Sequence, residues 1–265
     1  MNRIDLRANI ESLRDFDTAL LANTIGYIDP TPAHEFYMEG SIQSVTPTLG
    51  PTVGVAVLCE LDSSTPDGKP SVGDFWKQLE DMGKMDVPSV WVVKTVGKRP
   101  GHECVLGEGM AKALYSVGCL GTVTDGGVRD LMGLQTIPFP VYCKGKTIHH
   151  CALRFKALTK PVSIGGITIA PCDVIHANAE GVIKIPKGCI SKLVPAAVQM
   201  RAFEHEAHSM MRQTEIPPGE KENAIVRLLT KYNFTAVDKT PQTVSKVRQR
   251  GKSGANGSTQ VRGHL

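Results

Sequence analysis

The run Gly107-Glu-Gly-Met-Ala-Lys-Ala-Leu-Tyr-Ser-Val-Gly-Cys-Leu-Gly-Thr-Val-Thr-Asp-Gly-Gly-Val-Arg-Asp130 decides how this chain is read. A Gly-x-Gly turn opens it, and Met110 to Val117, rich in Ala and Leu, reads as a helix. Cys119 to Thr124 reads as a strand, and Asp125-Gly-Gly-Val-Arg-Asp is the turn at its end. Just downstream, Leu131 to Thr136 reads as a short helix and Pro140 to Lys144 as another strand. Upstream, Val53 to Leu58 and Pro88 to Val96 are apolar runs of buried-strand length. Between them Asp74 is expected to cap a helix from about Phe75 to Met82. Strand, helix, strand in succession predicts an α/β fold with at least one right-handed crossover.

Farther out the signals change. Ile10, Leu13, Phe16, Leu20 and Leu21 recur at roughly helical spacing and predict a helix over residues 8 to 25, ending near Gly26. From Pro161 to Pro186 short strands alternate with tight turns, and Gly165-Gly166 between β-branched residues is a hairpin signal. Residues 191 to 212 predict a long helix with a charged face carrying Arg201, Glu204 and Glu206. The expected organisation is one domain over residues 1–235 followed by a basic, disordered tail over 236–265.

That tail distorts the overall charge. The chain has 30 basic and 26 acidic residues. Six of the basic ones (Lys239, Lys246, Arg248, Arg250, Lys252, Arg262) and one acid, Asp238, lie after Thr235, which leaves 24 against 25 in the body. A body this close to neutral predicts no nucleic-acid partner. The start of the chain has no basic head followed by an apolar run, and no apolar stretch approaches the ~20 residues of a membrane span. A cytoplasmic location with no membrane association is expected. Seven scattered cysteines without a C-x-x-C pair read as buried, reduced thiols.

Two features carry chemistry. The Gly107 turn leaves the amides of Gly109, Met110 and Ala111 without earlier helical acceptors, which favours an anion above the helix start. The Asp125 to Asp130 turn lies at the carboxyl end of a strand, where ligands gather in open α/β sheets. Arg129 is suited to grip a carboxylate through two parallel hydrogen bonds, and Asp130 offers a hard oxygen to Mg²⁺ or Mn²⁺. Spacing alone favours the plainer alternative, that Arg129 and Asp130 cap a helix or pair on the surface. No Lys in the motif is placed for a Schiff base. Elsewhere, His149-His150 is the most tempting metal pair, but adjacent residues on a strand face opposite sides and rarely share an ion; His205 and His208 read as a solvated helix face and His176 as structural. His102 is expected near the entrance of the pocket.

Leu106 to Asp130, followed by Gly166-Ile-Thr-Ile-Ala-Pro-Cys-Asp-Val-Ile-His-Ala-Asn-Ala-Glu-Gly-Val-Ile-Lys-Ile-Pro186, resembles the family of class II 4-hydroxy-4-methyl-2-oxoglutarate aldolases and RraA regulators over about residues 15 to 212. The resemblance implies an αββα sandwich of the RraA-like, swivelling β/β/α type with peripheral helices. It implies a metal-dependent carbon–carbon lyase that releases pyruvate by retro-aldol cleavage or oxaloacetate-type decarboxylation. Arg129 would bind the 2-oxo acid, Asp130 would ligate Mg²⁺ or Mn²⁺, and Glu108 would hold a metal-bound water and take part in proton transfer. Gly107, Gly109 and Met110 would receive the substrate carboxylate. A homotrimer or hexamer is implied, with Glu206 a candidate for reaching a neighbour's site. Three positions depart from the family pattern: Gly133 stands where the aldolases have an acid, Cys172 where Gly is usual, and Asn178 where Asp is usual. Two other functions stay open, a non-catalytic regulator that binds a partner protein and a metal-dependent hydratase or dehydratase of a sugar-derived acid. A methyltransferase finds no support, because no glycine-rich S-adenosylmethionine loop follows the first strand.

Overall fold

The computed structural model describes residues 3–234; the tail expected over 236–265 lies outside them. In chain order the helices are α1 (Arg3–Leu13), α2 (Thr18–Ile28), α3 (Gly73–Gly83), α4 (Glu108–Ser116), α5 (Leu131–Leu134), α6 (Ile190–Met211) and α7 (Pro218–Lys231). The strands are β1 (Gln43–Ser44), β2 (Thr52–Asp62), β3 (Ser89–Thr95), β4 (Cys104–Leu106), β5 (Cys119–Thr124), β6 (Gly127–Val128) and β7 (Val141–Cys143). They continue with β8 (Gly145–Lys146), β9 (Arg154–Ala157), β10 (Val162–Ile164), β11 (Ile167–Ile169), β12 (Val174–Asn178) and β13 (Gly181–Ile185).

The main sheet runs β1-β7-β5-β3-β2-β12-β13, with β9 also paired to β2. Its centre, β2, β3, β5 and β7, is parallel, and antiparallel strands close its edges. Alternation sorts the two faces. Val53, Val55, Cys59, Leu61, Trp91 and Val93 pack under helices. Ala56, Leu58, Val90, Val92 and Tyr142 pack under the β10–β11 hairpin. Strands covered on both faces read as continuous apolar runs, which explains why β2 and β3 stand out in the sequence. The α/β class and the layering of hairpin, sheet and helices agree with expectation. Gly165 (φ +57°) and Gly166 (φ +81°) turn the hairpin in the left-handed region that their lack of a Cβ allows.

Several boundaries moved. The single helix expected over residues 8 to 25 is two helices, because the Asp17 side chain accepts the Leu20 N–H (2.7 Å) and restarts the helix after Phe16 turns inward. Asp74 does not cap α3. It sits inside the first turn and accepts the Ala157 amide of β9 (2.9 Å), tying the helix to the sheet edge. His176 has both ring nitrogens engaged, Nδ1 with Thr18 Oγ1 (3.0 Å) and Nε2 with the Leu13 carbonyl (3.2 Å), so it pins the α1–α2 junction to β12. Burial pushes its pKa down to about 4. Among the described residues no helix is long and apolar enough to cross a membrane.

Candidate active site

The parallel strands β3 and β5 end side by side, and the chain leaves each in an excursion before returning to the sheet. Residues 97–107 follow β3, and Asp125 to Asp130 follow β5. The excursions pair with each other and with β8 as a small parallel sheet, β4-β6-β8. Arg129 N–H donates to the Leu106 carbonyl (3.0 Å), which sets the Arg129–Asp130 pair beside Gly107, the residue before α4.

At that meeting point a Cβ on Gly107 would collide with Asp130 Oδ2, so glycine is what lets the two segments touch. Asp130 adopts left-handed backbone angles (φ 58°, ψ 40°), tolerated by Asp better than by most residues. Its Oδ2 accepts the Glu108 amide (3.2 Å) and lies 3.5 Å from Arg129 Nε. Oδ1 has no protein partner among the described residues, and the side chain is 45% exposed. The surface-pair alternative is therefore only partly realised: Asp130 caps the start of α4, yet half of its carboxylate stays free.

Above this corner opens a cavity of about 310 Å³. Its polar edge is Gly107, Gly109, Met110, Arg129 and Asp130; its apolar wall includes Phe75, Trp76, Ala113 and Leu153, and His150 and Cys104 complete it. No lysine lines it. Cys104 is buried, which raises its thiol pKa and leaves it a poor nucleophile. A larger hollow, about 490 Å³, lies by Lys94, Asp125 and Lys146, but it contains neither the α4 start nor Arg129 and Asp130.

The remaining expected residues fall elsewhere. The Glu108 carboxylate does not line the cavity. It pairs with Lys112 one turn along and rests on Gly133, where any side chain would strike it. The glycine that departs from the aldolase pattern thus leaves its place to Glu108. Glu206 is bound within its own chain, accepting from Lys231 Nζ (2.6 and 2.8 Å) and Tyr232 hydroxyl (2.6 Å), and the Lys231 bond first, then Tyr232, lowers its pKa. Serving a neighbour's site would require breaking those bonds. His102 borders a separate hollow of about 220 Å³ beside the cavity, where its Nε2 accepts from Arg99 (2.8 Å). His149 and His150 lie on no strand; their rings sit 5.1 Å apart in the segment between β8 and β9. Cys172, expected buried, is exposed at φ +65°, the conformation that glycine usually supplies.

Two residues take places that the sequence reading did not assign them. Glu103, 1% exposed, accepts from Ser63 N (2.9 Å), Ser63 Oγ (2.5 Å), Ser64 Oγ (3.1 Å) and the Gly97 amide, knotting the β3 excursion to the end of β2. His150 reaches the cavity from a loop about twenty residues beyond the motif.

Comparison with known proteins agrees with this architecture. The family model described as RraA-like, Aldolase/RraA, matches residues 31–184. A protein of Halalkalibacterium halodurans, provisionally named 4-hydroxy-4-methyl-2-oxoglutarate aldolase, is 38% identical over 98 residues. That stretch is 36% of this chain and 44% of the relative, so the match spans less than half of the relative's length. An uncharacterized protein from Pseudomonas syringae pv. tomato str. DC3000 superposes with a TM-score of 0.60 at 21% identity, covering 82% of this chain and 96% of that one. Streptomyces coelicolor RraAS2, described as an unusual member of the RNase ES inhibitor RraA protein family, does so with a TM-score of 0.60 at 21% identity, covering 76% and 96%. At those identities the two structures speak for the fold alone. With the family model matching more than half of its length, the chain belongs to the RraA-like family.

Proposed function

We propose that the protein is a divalent-metal-assisted lyase that breaks a carbon–carbon bond next to a 2-oxo acid and releases pyruvate. One observation carries this reading: a guanidinium and a half-free carboxylate stand together at the open start of a helix, inside a cavity with an apolar wall. The donors present suit Mg²⁺ or Mn²⁺. Asp130 offers a hard, unshared oxygen, and such ions accept one or two carboxylates while keeping most of their waters. Among the described residues no three His, Cys, Asp or Glu side chains gather to cage a metal, so the ion would enter with its waters and the substrate. When bound, it would draw electron density from the 2-oxo group.

The chain's own groups do the rest. The amides of Gly109 and Met110, at the positive end of α4, receive the substrate carboxylate. Arg129 faces the 2-oxo oxygen, and its charge meets the negative charge that grows there as the bond breaks and an enolate forms. Phe75, Trp76 and Leu153 exclude water and strengthen that interaction. The absence of a lysine from the lining argues against a Schiff base. A homotrimer or hexamer remains part of this proposal.

The test is pyruvate release from 4-hydroxy-4-methyl-2-oxoglutarate and from oxaloacetate, followed by a coupled dehydrogenase assay. EDTA, and separately Arg129→Ala, should each slow the Mg²⁺-supported rate by roughly 100-fold or more. Equal rates in all three conditions overturn the reading. A protein that acts only by binding another protein would release no pyruvate at all.

A further inference from the structure

Retro-aldol cleavage of a 2-oxo acid adduct needs a base to take the hydroxyl proton and an acid to protonate the enolate. Glu108, expected near that role, is turned toward Lys112 and Gly133. Cys104 has its pKa raised by burial, and Asp130 is committed to Arg129, the α4 amide and the proposed ion. One other titratable side chain borders the cavity, His150.

We propose that His150 is the proton carrier of this site, an inference that rests on the lyase reading. Its Nδ1 lies 2.6 Å from the Cys151 carbonyl oxygen. A carbonyl can only accept, so in the neutral ring the proton is on Nδ1 and Nε2 holds a lone pair. Nε2 has no protein partner among the described residues, and the half-buried ring lines the same cavity as Arg129 and Asp130. This is the arrangement a general base needs: one nitrogen fixed by the backbone, which orients the ring and sets the tautomer, and the other without a protein partner on a residue that lines both this cavity and the smaller hollow beside it.

The proton count closes. Nε2 takes the hydroxyl proton at C4 of the adduct as the C3–C4 bond breaks. The C4 oxygen becomes a carbonyl, and the bonding pair becomes the C2–C3 double bond of the enolate, whose charge rests on the C2 oxygen. The imidazolium then returns its proton to C3, giving pyruvate and regenerating the neutral ring. No oxidant, reductant or second reactant is required.

The experiment compares wild type, His150→Gln, His150→Asn and His150→Gly with Mg²⁺ and 4-hydroxy-4-methyl-2-oxoglutarate, reading kcat and KM separately. Deuterium incorporation into the pyruvate methyl group in D2O is followed alongside by NMR. A general acid–base role predicts that kcat falls on the order of 100-fold or more while KM changes little, with methyl exchange lost in parallel. It further predicts that added imidazole restores a measurable part of the His150→Gly rate, which a merely structural histidine would not allow. Two substituted amides guard against a fold defect in either one, with oxalate binding as the check that the cavity is intact. Activity within about threefold of wild type in both amide variants, or a loss that imidazole does not relieve, overturns the proposal while leaving the lyase reading in place. A wild-type protein that neither cleaves adducts nor exchanges methyl protons ends both.

Discussion

Two carboxylates built into the excursions beyond β3 and β5 are treated in opposite ways. Glu103 is closed off at 1% exposure, and every lone pair it uses is spent on amides and hydroxyls of the surrounding loops. Asp130 stands open at 45% exposure of its side chain, with one oxygen bonded and the other free, on a left-handed backbone. The difference shows how a fold divides labour between like groups. A saturated buried carboxylate is a structural knot, because its partners would be costly to leave unpaired. An unsaturated one at a strained backbone position is where chemistry is affordable. Two histidines repeat the pattern: His176 has both nitrogens bonded inside the core, whereas His150, which lines the cavity, has one bonded and one without a protein partner among the described residues.

The largest expected effect falls on the closed member. Glu103→Ala strands several buried donors and should lower unfolding stability by about 3 kcal/mol or more, measured by urea denaturation. A loss below about 1 kcal/mol would break the comparison at its first half. Asp130→Asn keeps the shape and tolerates the same backbone angles, so stability should stay within about 0.5 kcal/mol of wild type. Under the proposed lyase activity, its Mg²⁺-supported rate should nevertheless fall about 100-fold, which turnover at graded Mg²⁺ will report.

His176 offers a test by pH. Its folded pKa, about 4, lies below the ordinary value of 6.5, so the unfolded chain binds the proton more readily. Its contribution to stability is therefore full above about pH 6.5 and is lost as pH falls toward 4, a swing of about 3 kcal/mol at the usual 1.4 kcal/mol per unit. His176→Gln should flatten that part of a stability-versus-pH curve, with denaturation midpoints at pH 7 and pH 4.5 as the measurement. The smallest effect is at Cys172, whose left-handed backbone (φ +65°) disfavours a side chain. Cys172→Gly should raise the melting temperature slightly, corresponding to about 0.5–1 kcal/mol, and a decrease would show that the thiol makes compensating contacts.

Much of this architecture was legible in the chain. The parallel core strands announced themselves as apolar runs because both faces are covered, and Gly165-Gly166 marked its own turn. The helix expected over residues 8 to 25 failed at one residue, Asp17, whose side-chain cap carries no periodic signature. Helix α7 was not foreseen, although Ile225, Leu228, Leu229 and Tyr232 recur at helical spacing and Leu229 and Tyr232 pack against the core. Within the site, Gly107, Arg129 and Asp130 were singled out by the family resemblance, since their spacing alone also suits a helix cap or a surface pair. Glu103 was not, because it belongs to no local pattern, and His150 stood out only as half of the His149-His150 pair and not as part of this site.

Local sequence thus determined the elements and the pair that meets the helix start, since propensity, periodicity and turn chemistry act over a few neighbouring residues. Only the three-dimensional arrangement decided which acid is sealed, which is open, and which histidine faces the cavity. Those outcomes depend on what the returning chain places within about 3 Å of each atom, and residues far apart in sequence supply it: Ser63 for Glu103, Gly107 for Asp130 and the β8–β9 loop for the wall of the site.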